Sequence, residues 1–351
     1  MVQWRQKSIS GAMYMNMFVR IIKILSIIFL VLMLVVTIVF VRFDIARERL
    51  DATYFTDDSH DVTLAILHLD GHTIDIDIHY QDFGQTDDPV IVLLHGAFAS
   101  SHTFKPWADM LVLEGYRVLA IDLPYHGLSG GFDDQVTSQR RSAAVVKALL
   151  DHLEIDQIII GGNSMGGGVS WYFTSEYHGV DGFEVQGLVL ISAVYPGMQG
   201  GSGPARIQRI LSSRIVSAVA SKMTPRFVLR NILEGVYGSG STLEEETITR
   251  YYELLRRSGN RQAILRNTRE IDAGPSGEER LLLIRESGIP VLVMWGLEDS
   301  WVPVSLAYAF QEILMLEAAD LVIYEDIGHV PMEEQPARTL VDLLTFINQI
   351  T

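Results

Sequence analysis

The sequence predicts an α/β fold: an eight-stranded, mostly parallel sheet with helices on both faces, a helical cap inserted late in it and one apolar helix ahead of it. Three observations predict this. Short, continuous, β-branched runs recur with helical stretches between them. One interval between consecutive runs, residues 195–289, is far too long for a crossover. Residues 24–41 are a run of 18 residues without a charge.

Taken from the N-terminus, the apolar run comes first. At about 1.5 Å per residue it spans roughly 27 Å, the thickness of a bilayer's hydrocarbon core. Arg5, Lys7, Arg20 and Lys23 precede it, and Arg42, Arg47 and Arg49 follow, mixed with Asp44 and Glu48. The cationic excess before the run places residues 1–23 in the cytoplasm, 24–41 as a single-pass anchor and the body on the extracytoplasmic side, periplasmic or extracellular. A cleaved signal peptide is the competing reading. Its apolar core would be shorter and followed by a small-x-small site, whereas Arg-Phe-Asp-Ile-Ala-Arg-Glu-Arg follows here. Residues 42–61 are polar and acidic and read as a linker.

The body begins with two extended runs, 62–69 and 73–80, around Asp70-Gly71-His72. Residues 73–80 alternate apolar and polar, and an Asp-Gly turn between such runs predicts an antiparallel hairpin. Six buried-strand runs follow at 90–94, 117–121, 157–161, 187–192, 291–295 and 321–325. Helices are expected at 104–114, 136–153, 166–178, 304–317 and 336–349. The core is therefore 62–194 with 290–351, and 195–289 is the cap. The cap opens with the glycine-rich run 197–203 and continues with amphipathic stretches at 207–220 and 242–257.

Composition sets limits on function. The net charge is −16, and residues 1–50 carry seven Lys/Arg against two Asp/Glu, so the body is more acidic still. An acidic body speaks against nucleic-acid binding. There is no cysteine, which removes disulfides, thiolate metal sites and a cysteine nucleophile. No His/Asp/Glu cluster has metal spacing, and no glycine motif suits a phosphate or dinucleotide. The reading therefore calls for neither metal nor cofactor. The sequence is silent on oligomeric state.

Chemistry concentrates in three loops that follow strands. Gly162-Asn163-Ser164-Met165-Gly166 sits between a buried strand and a helix. A serine hydroxyl must be exposed on a sharp turn and activated by a base before it can attack a carbonyl, and glycines on either side let the turn close. Ser164 is the expected nucleophile. His329, after the last strand, is the expected general base. Asp299, after the strand before it, is the expected orienting acid, with Glu298 and Asp326 as alternatives. An oxyanion needs donors already in place. The Met165 N–H is one, and the Ala97 N–H in His95-Gly96-Ala97-Phe98 is the other, with Phe98 N–H as the alternative. His95 reads as structural. Asp122 reads as a loop tie, and His102 and His126 as solvated loop residues.

Together these segments resemble the α/β-hydrolase superfamily: His-Gly at 95–96, Asp-Leu-Pro-x-x-Gly-x-Ser at 122–129, the elbow, the acid loop and Gly-His-Val-Pro-Met-Glu-Glu at 328–334. The closest likeness is to bacterial membrane-anchored esterases and monoacylglycerol-lipase-type enzymes, to which Arg250-Tyr-Tyr-Glu in the cap is similar. Tyr125-His126 departs from the Gly-Phe often found there. The resemblance implies hydrolysis of short or medium acyl esters or monoacylglycerol-like esters through an acyl-enzyme. It leaves open a carbon–carbon bond hydrolase or a cofactor-free haloperoxidase or perhydrolase. A non-catalytic ligand-binding receptor is a reading from a different class, against which a complete Ser-His-Asp set speaks.

Overall fold

The computed structural model describes residues 2–67, 71–198, 213–266, 268–269 and 274–350. Two units are distinguished and are taken separately.

The first unit is built on a helix, Val2–Phe40. Its stretch Met17–Phe40, 24 residues of mean hydropathy 3.0, is long and apolar enough to cross a membrane. It begins earlier than the sequence run because Arg20 and Lys23 lie within it. Lys222–Pro225 belong to the same unit, and the Arg42 N–H donates to the Lys222 carbonyl at 2.6 Å.

The second unit is the body. Its sheet has eight strands: β1 (Ser59–Leu67), β2 (Thr73–Phe83), β3 (Val90–Leu94), β4 (Arg117–Ile121), β5 (Gln157–Asn163), β6 (Glu184–Ile191), β7 (Val291–Gly296) and β8 (Leu321–Tyr324). Their spatial order is β1-β2-β4-β3-β5-β6-β7-β8. β2 runs antiparallel to β1 and β4, and every other pairing is parallel. The β1–β2 connection is residues 68–72, of which 68–70 lie outside the described residues.

Strand side chains alternate between two cores. Val92, Leu94, Leu119, Ile121, Ile158 and Ile160 pack on one face, and Ile91, Leu93, Val118, Ala120 and Ile159 on the other. Helices cover both faces. The strand order reverses at β3, because the chain adds β4 on one side of it and then crosses to lay β5 on the other. Ligands of open α/β sheets lie at the carboxyl ends of such a pair, and the loops after β3 and β5 carry Gly96 and Ser164.

Part of the expected linker, residues 42–61, is helical and docked. Arg47–Tyr54 form a helix whose Leu50 and Tyr54, one turn apart, are buried with Leu128 and Leu254. Arg47 donates to the Leu128 carbonyl at 2.7 Å and to Asp61, and the Tyr54 hydroxyl donates to Glu253 at 2.7 Å. An i, i+4 apolar pair in an otherwise polar stretch suffices to dock it.

The stretch 195–289 holds described helices at Arg214–Ser221, Arg226–Glu234, Glu245–Leu255 and Asn260–Arg266. Most of the glycine-rich run, and 207–212 of the first amphipathic stretch, lie outside the described residues. A fifth helix, Gly277–Ser287, starts with a capping box between Ser276 and Glu279. It packs against the helix Met165–Tyr177, where Arg280 donates to Glu176 at 2.7 Å.

Candidate active site

Ser164 sits where β5 gives way to the helix Met165–Tyr177, at φ +54°, ψ −114°. A non-glycine residue holds such a conformation only when its surroundings impose it. Here they do. The Ser164 N–H donates to the Ile191 carbonyl, and its own carbonyl accepts from Gly168 and Val194. A Cβ on Gly166 would lie 2.0 Å from the Leu94 carbonyl oxygen, so the helix can start this close to β3 only with glycine there.

The loop after β3 closes on the elbow. A Cβ on Gly96 would stand 3.2 Å from the Ser164 Cβ. The next two residues, Ala97 and Phe98, flank this approach, and Phe98 has φ +66°. Among the described residues, the N–H groups of Ala97, Phe98 and Met165 donate to no backbone acceptor. They are thus available to an external oxygen.

Asp299 and His329 meet directly. Asp299 Oδ2 lies 2.7 Å from His329 Nδ1, and both side chains are buried. The other carboxylate oxygen accepts from the N–H groups of Trp301 and Val302 at 2.8 and 2.9 Å. A carboxylate only accepts, so the Asp299 bond holds a proton on Nδ1 and leaves Nε2 as the nitrogen without this partner. Glu298 and Asp326 are occupied elsewhere. Glu298 takes the Ser239 N–H and hydroxyl, which hold its carboxyl below the usual range. Asp326 pairs with Arg338 and Gln335.

The structure connects the two halves through a residue to which sequence reading gave no role. Asn163 Nδ2 donates to the His329 carbonyl at 2.8 Å and to the Ile191 carbonyl at 3.2 Å. Glu334 was also missed. Its carboxylate accepts from the N–H groups of Gly328, Val330 and Gly238 and from the Ser241 hydroxyl. It thereby holds the His329 loop from both sides. Its position inside Gly-His-Val-Pro-Met-Glu-Glu was the available signal. Trp301 lies 6.0 Å from the His329 ring and 6.1 Å, edge-on, from Phe98, which makes this side of the site aromatic.

The neighbouring histidines depart from expectation. His102 and His126 are buried, not solvated. His102 Nε2 bonds the Tyr54 carbonyl at 3.0 Å and His126 Nδ1 the Pro124 carbonyl at 3.0 Å. The docked helix Arg47–Tyr54 supplies the first contact. Burial pushes His102 down to about 4 and His126 to about 3. His95 accepts the Leu123 N–H at Nε2 and donates from Nδ1 to the Gly96 carbonyl, so it is neutral and braces the Gly96 turn. Burial alone would raise the Asp122 carboxyl, yet the adjacent histidines and the Ser101 N–H hold it below the usual range. Asp122 ties down both loops by accepting from Ser101 and Leu128.

Arg250 and Tyr251, on the helix Glu245–Leu255, both reach Glu333. Burial works against the Arg250 charge, but Glu333 keeps it protonated.

Comparison with known proteins decides the family. Residues 91–343 match the model of the alpha/beta hydrolase family. The chain belongs to that family. This hydrolase is 28% identical over 287 residues to a 2-hydroxy-6-oxononadienedioate/2-hydroxy-6-oxononatrienedioate hydrolase of Paraburkholderia phymatum, covering 80% of this chain and 94% of that protein. Among solved structures it is similar to a thermophilic esterase from Thermogutta terrifontis, with TM-score 0.64 and 20% identity, covering 83% of this hydrolase and 99% of that chain. It is also similar to a bacterial membrane phospholipase A described as a virulence factor, with TM-score 0.62 and 19% identity, covering 95% and 98%. At such identities the structural matches speak for the fold alone.

Proposed function

We propose that this hydrolase is a serine esterase that cleaves short or medium acyl esters, or monoacylglycerol-like esters, with Ser164 as nucleophile, His329 as general base and Asp299 as orienting acid. The observation that carries the reading is the Ser164 elbow, held beside a histidine loop whose imidazole is bonded to a buried carboxylate.

His329 Nε2 takes the Ser164 hydroxyl proton as Oγ attacks the ester carbonyl. The N–H groups of Met165 and Ala97, or Phe98 in its place, receive the oxyanion. His329 returns the proton to the departing alcohol. A water deprotonated by the same nitrogen then attacks the acyl-enzyme and releases the acid. Asp299 fixes the tautomer throughout and stabilises the imidazolium.

The similarity to the Paraburkholderia dienedioate hydrolase favours a second reading, a carbon–carbon bond hydrolase acting on a dienedioate. Two carboxylates would call for cations at the site. Arg250, the buried cation of its helix, is already committed to Glu333, and Phe98 and Trp301 offer an apolar wall instead. These features favour the ester.

The helix Val2–Phe40 supports a single-pass anchor, and the cationic excess before residues 24–41 is what favours placing the body on the extracytoplasmic side. Residues 24–41 remain the proposed anchor core and residues 195–289 the proposed cap, its main described part being 213–266.

The test is an ester series of increasing acyl length, run beside 2-hydroxy-6-oxononadienedioate, with Ser164→Ala as control. Short to medium esters should turn over, and the variant should lose activity by a factor on the order of 10⁴ or more. Equal rates in both proteins would remove Ser164 from the reaction. Faster turnover of the dienedioate than of any ester would replace the ester reading by the carbon–carbon one.

A further inference from the structure

The helix Arg214–Ser221 is inside out. Its serines face inward: Ser217 is 0% exposed and Ser221 1% exposed. Its aliphatic residues face outward: Ile215 is 78% exposed and Val219 62%. The serines make this tolerable, because Ser217 Oγ donates to the Ser213 carbonyl and Ser221 Oγ to the Ala218 carbonyl, both at 2.9 Å, leaving no hydroxyl unsatisfied. Among the described residues, nothing comparable compensates the outer face in water. Beyond the helix, Met223 and Val228 are also exposed. A helix surface helps a protein fold by burying its apolar stripe, so one that exposes that stripe fits a second apolar medium.

Two features identify that medium. Lys222–Pro225 belong to the same unit as the apolar helix Val2–Phe40, with the Arg42 N–H on the Lys222 carbonyl. Val219 and Val228 are three residues along the chain from this segment, within roughly 11 Å by chain length alone. The second feature is charge. Between Glu184 and Glu234 there is no Asp or Glu, while Arg206, Arg209, Arg214, Lys222, Arg226 and Arg230 all occur, in a body otherwise rich in acid. Outward aliphatics among cations, a few residues along the chain from a segment grouped with the apolar helix, have the composition of a segment lying in the headgroup region of an anionic bilayer.

We propose that residues 214–228 form a second membrane contact, seated in the lipid interface of an anionic bilayer. The inference rests on the reading of Val2–Phe40 as an anchor. It adds that the cap itself touches lipid.

The chain has no cysteine, so single-cysteine labelling of the full-length protein is clean. Ile215→Cys, Val219→Cys, Leu30→Cys in the anchor and Leu113→Cys, an exposed apolar position elsewhere on the body, would each carry an environment-sensitive fluorophore. The proteins would be reconstituted in phosphatidylcholine–phosphatidylglycerol vesicles containing nitroxide-labelled lipid. Labels at 30, 215 and 219 should be blue-shifted and quenched several-fold more than the label at 113. Quenching at 30 but not at 215 and 219 overturns the second contact while leaving the anchor in place. A blue shift at 215 and 219 without quenching means that protein, not lipid, covers this face, and also overturns it. Absence of quenching at 30 overturns the anchor reading and the inference with it.

Discussion

Asn163 Nδ2 donates to the carbonyl oxygen of His329 at 2.8 Å. The residue before the elbow serine is therefore fastened to the backbone of the proposed base, across 166 positions of sequence. The loop that carries Ser164 and the loop that carries His329 are thus joined by a hydrogen bond as well as by the sheet. Asn163→Ala should leave Ser164 chemically intact but loosen its partner. We expect kcat to fall about 10–100-fold with KM little changed, together with a stability loss of about 1–3 kcal/mol from the carbonyl left unpaired. A steady-state comparison with thermal melts checks both. A KM change larger than the kcat change would place Asn163 in substrate binding instead.

Glu334 accepts from three backbone N–H groups and one hydroxyl around the His329 loop. Glu334→Ala strands these donors at once. The expected cost is about 2–4 kcal/mol with a fall in kcat. Glu334→Gln, which still accepts, should recover most of the stability, as denaturant titration would reveal.

The buried histidines give the body a specific sensitivity to acid. A histidine held neutral in the folded state but free to protonate near 6.5 when unfolded stabilises the fold fully above about pH 6.5. That contribution is lost as pH falls toward the folded values, about 4 for His102 and about 3 for His126. The melting temperature should therefore drop steeply between about pH 6.5 and pH 4, before carboxylates such as Asp122 begin to contribute. His102→Gln should flatten this slope while lowering stability at pH 7. An unchanged slope would assign the acid sensitivity to other groups.

Trp301 lies between His329 and Phe98. Trp301→Ala should widen the site and shift the preferred acyl length upward. The effect should appear mainly in KM for short esters, since the residue supplies a wall and no proton. Rates across an acyl series check this. A uniform loss of kcat at every chain length would point instead to a disturbed Asp299, whose carboxylate takes the Trp301 N–H.

The sheet was legible in the sequence because parallel strands buried on both faces must be continuously apolar, and Val90–Leu94 or Gln157–Gly161 can be little else. The chemistry-bearing loops were legible for a different reason: a strained serine turn leaves glycines on both sides of it. Asn163 and Glu334 were not legible, since an amide or carboxylate becomes a brace only through the loop it faces, and that partner is distant in sequence. The helix Arg47–Tyr54 was hidden by composition. Two apolar residues one turn apart dock it, and polar neighbours mask them. His102 and His126 were misread because burial there comes from that docked helix and from the folded loops, not from their own flanking residues. The inverted helix Arg214–Ser221 shows up in the sequence only as amphipathic, and which face points outward is decided by packing alone.

The central claim is that Ser164 is the nucleophile of this hydrolase. Incubating the full-length protein with a fluorophosphonate and digesting it for peptide mass spectrometry tests this most directly. One phosphonylated residue is expected, Ser164, with labelling abolished in Ser164→Ala and severely slowed in His329→Ala. An active protein that acquires no adduct, or acquires it at another residue while Ser164→Ala retains activity, would contradict it.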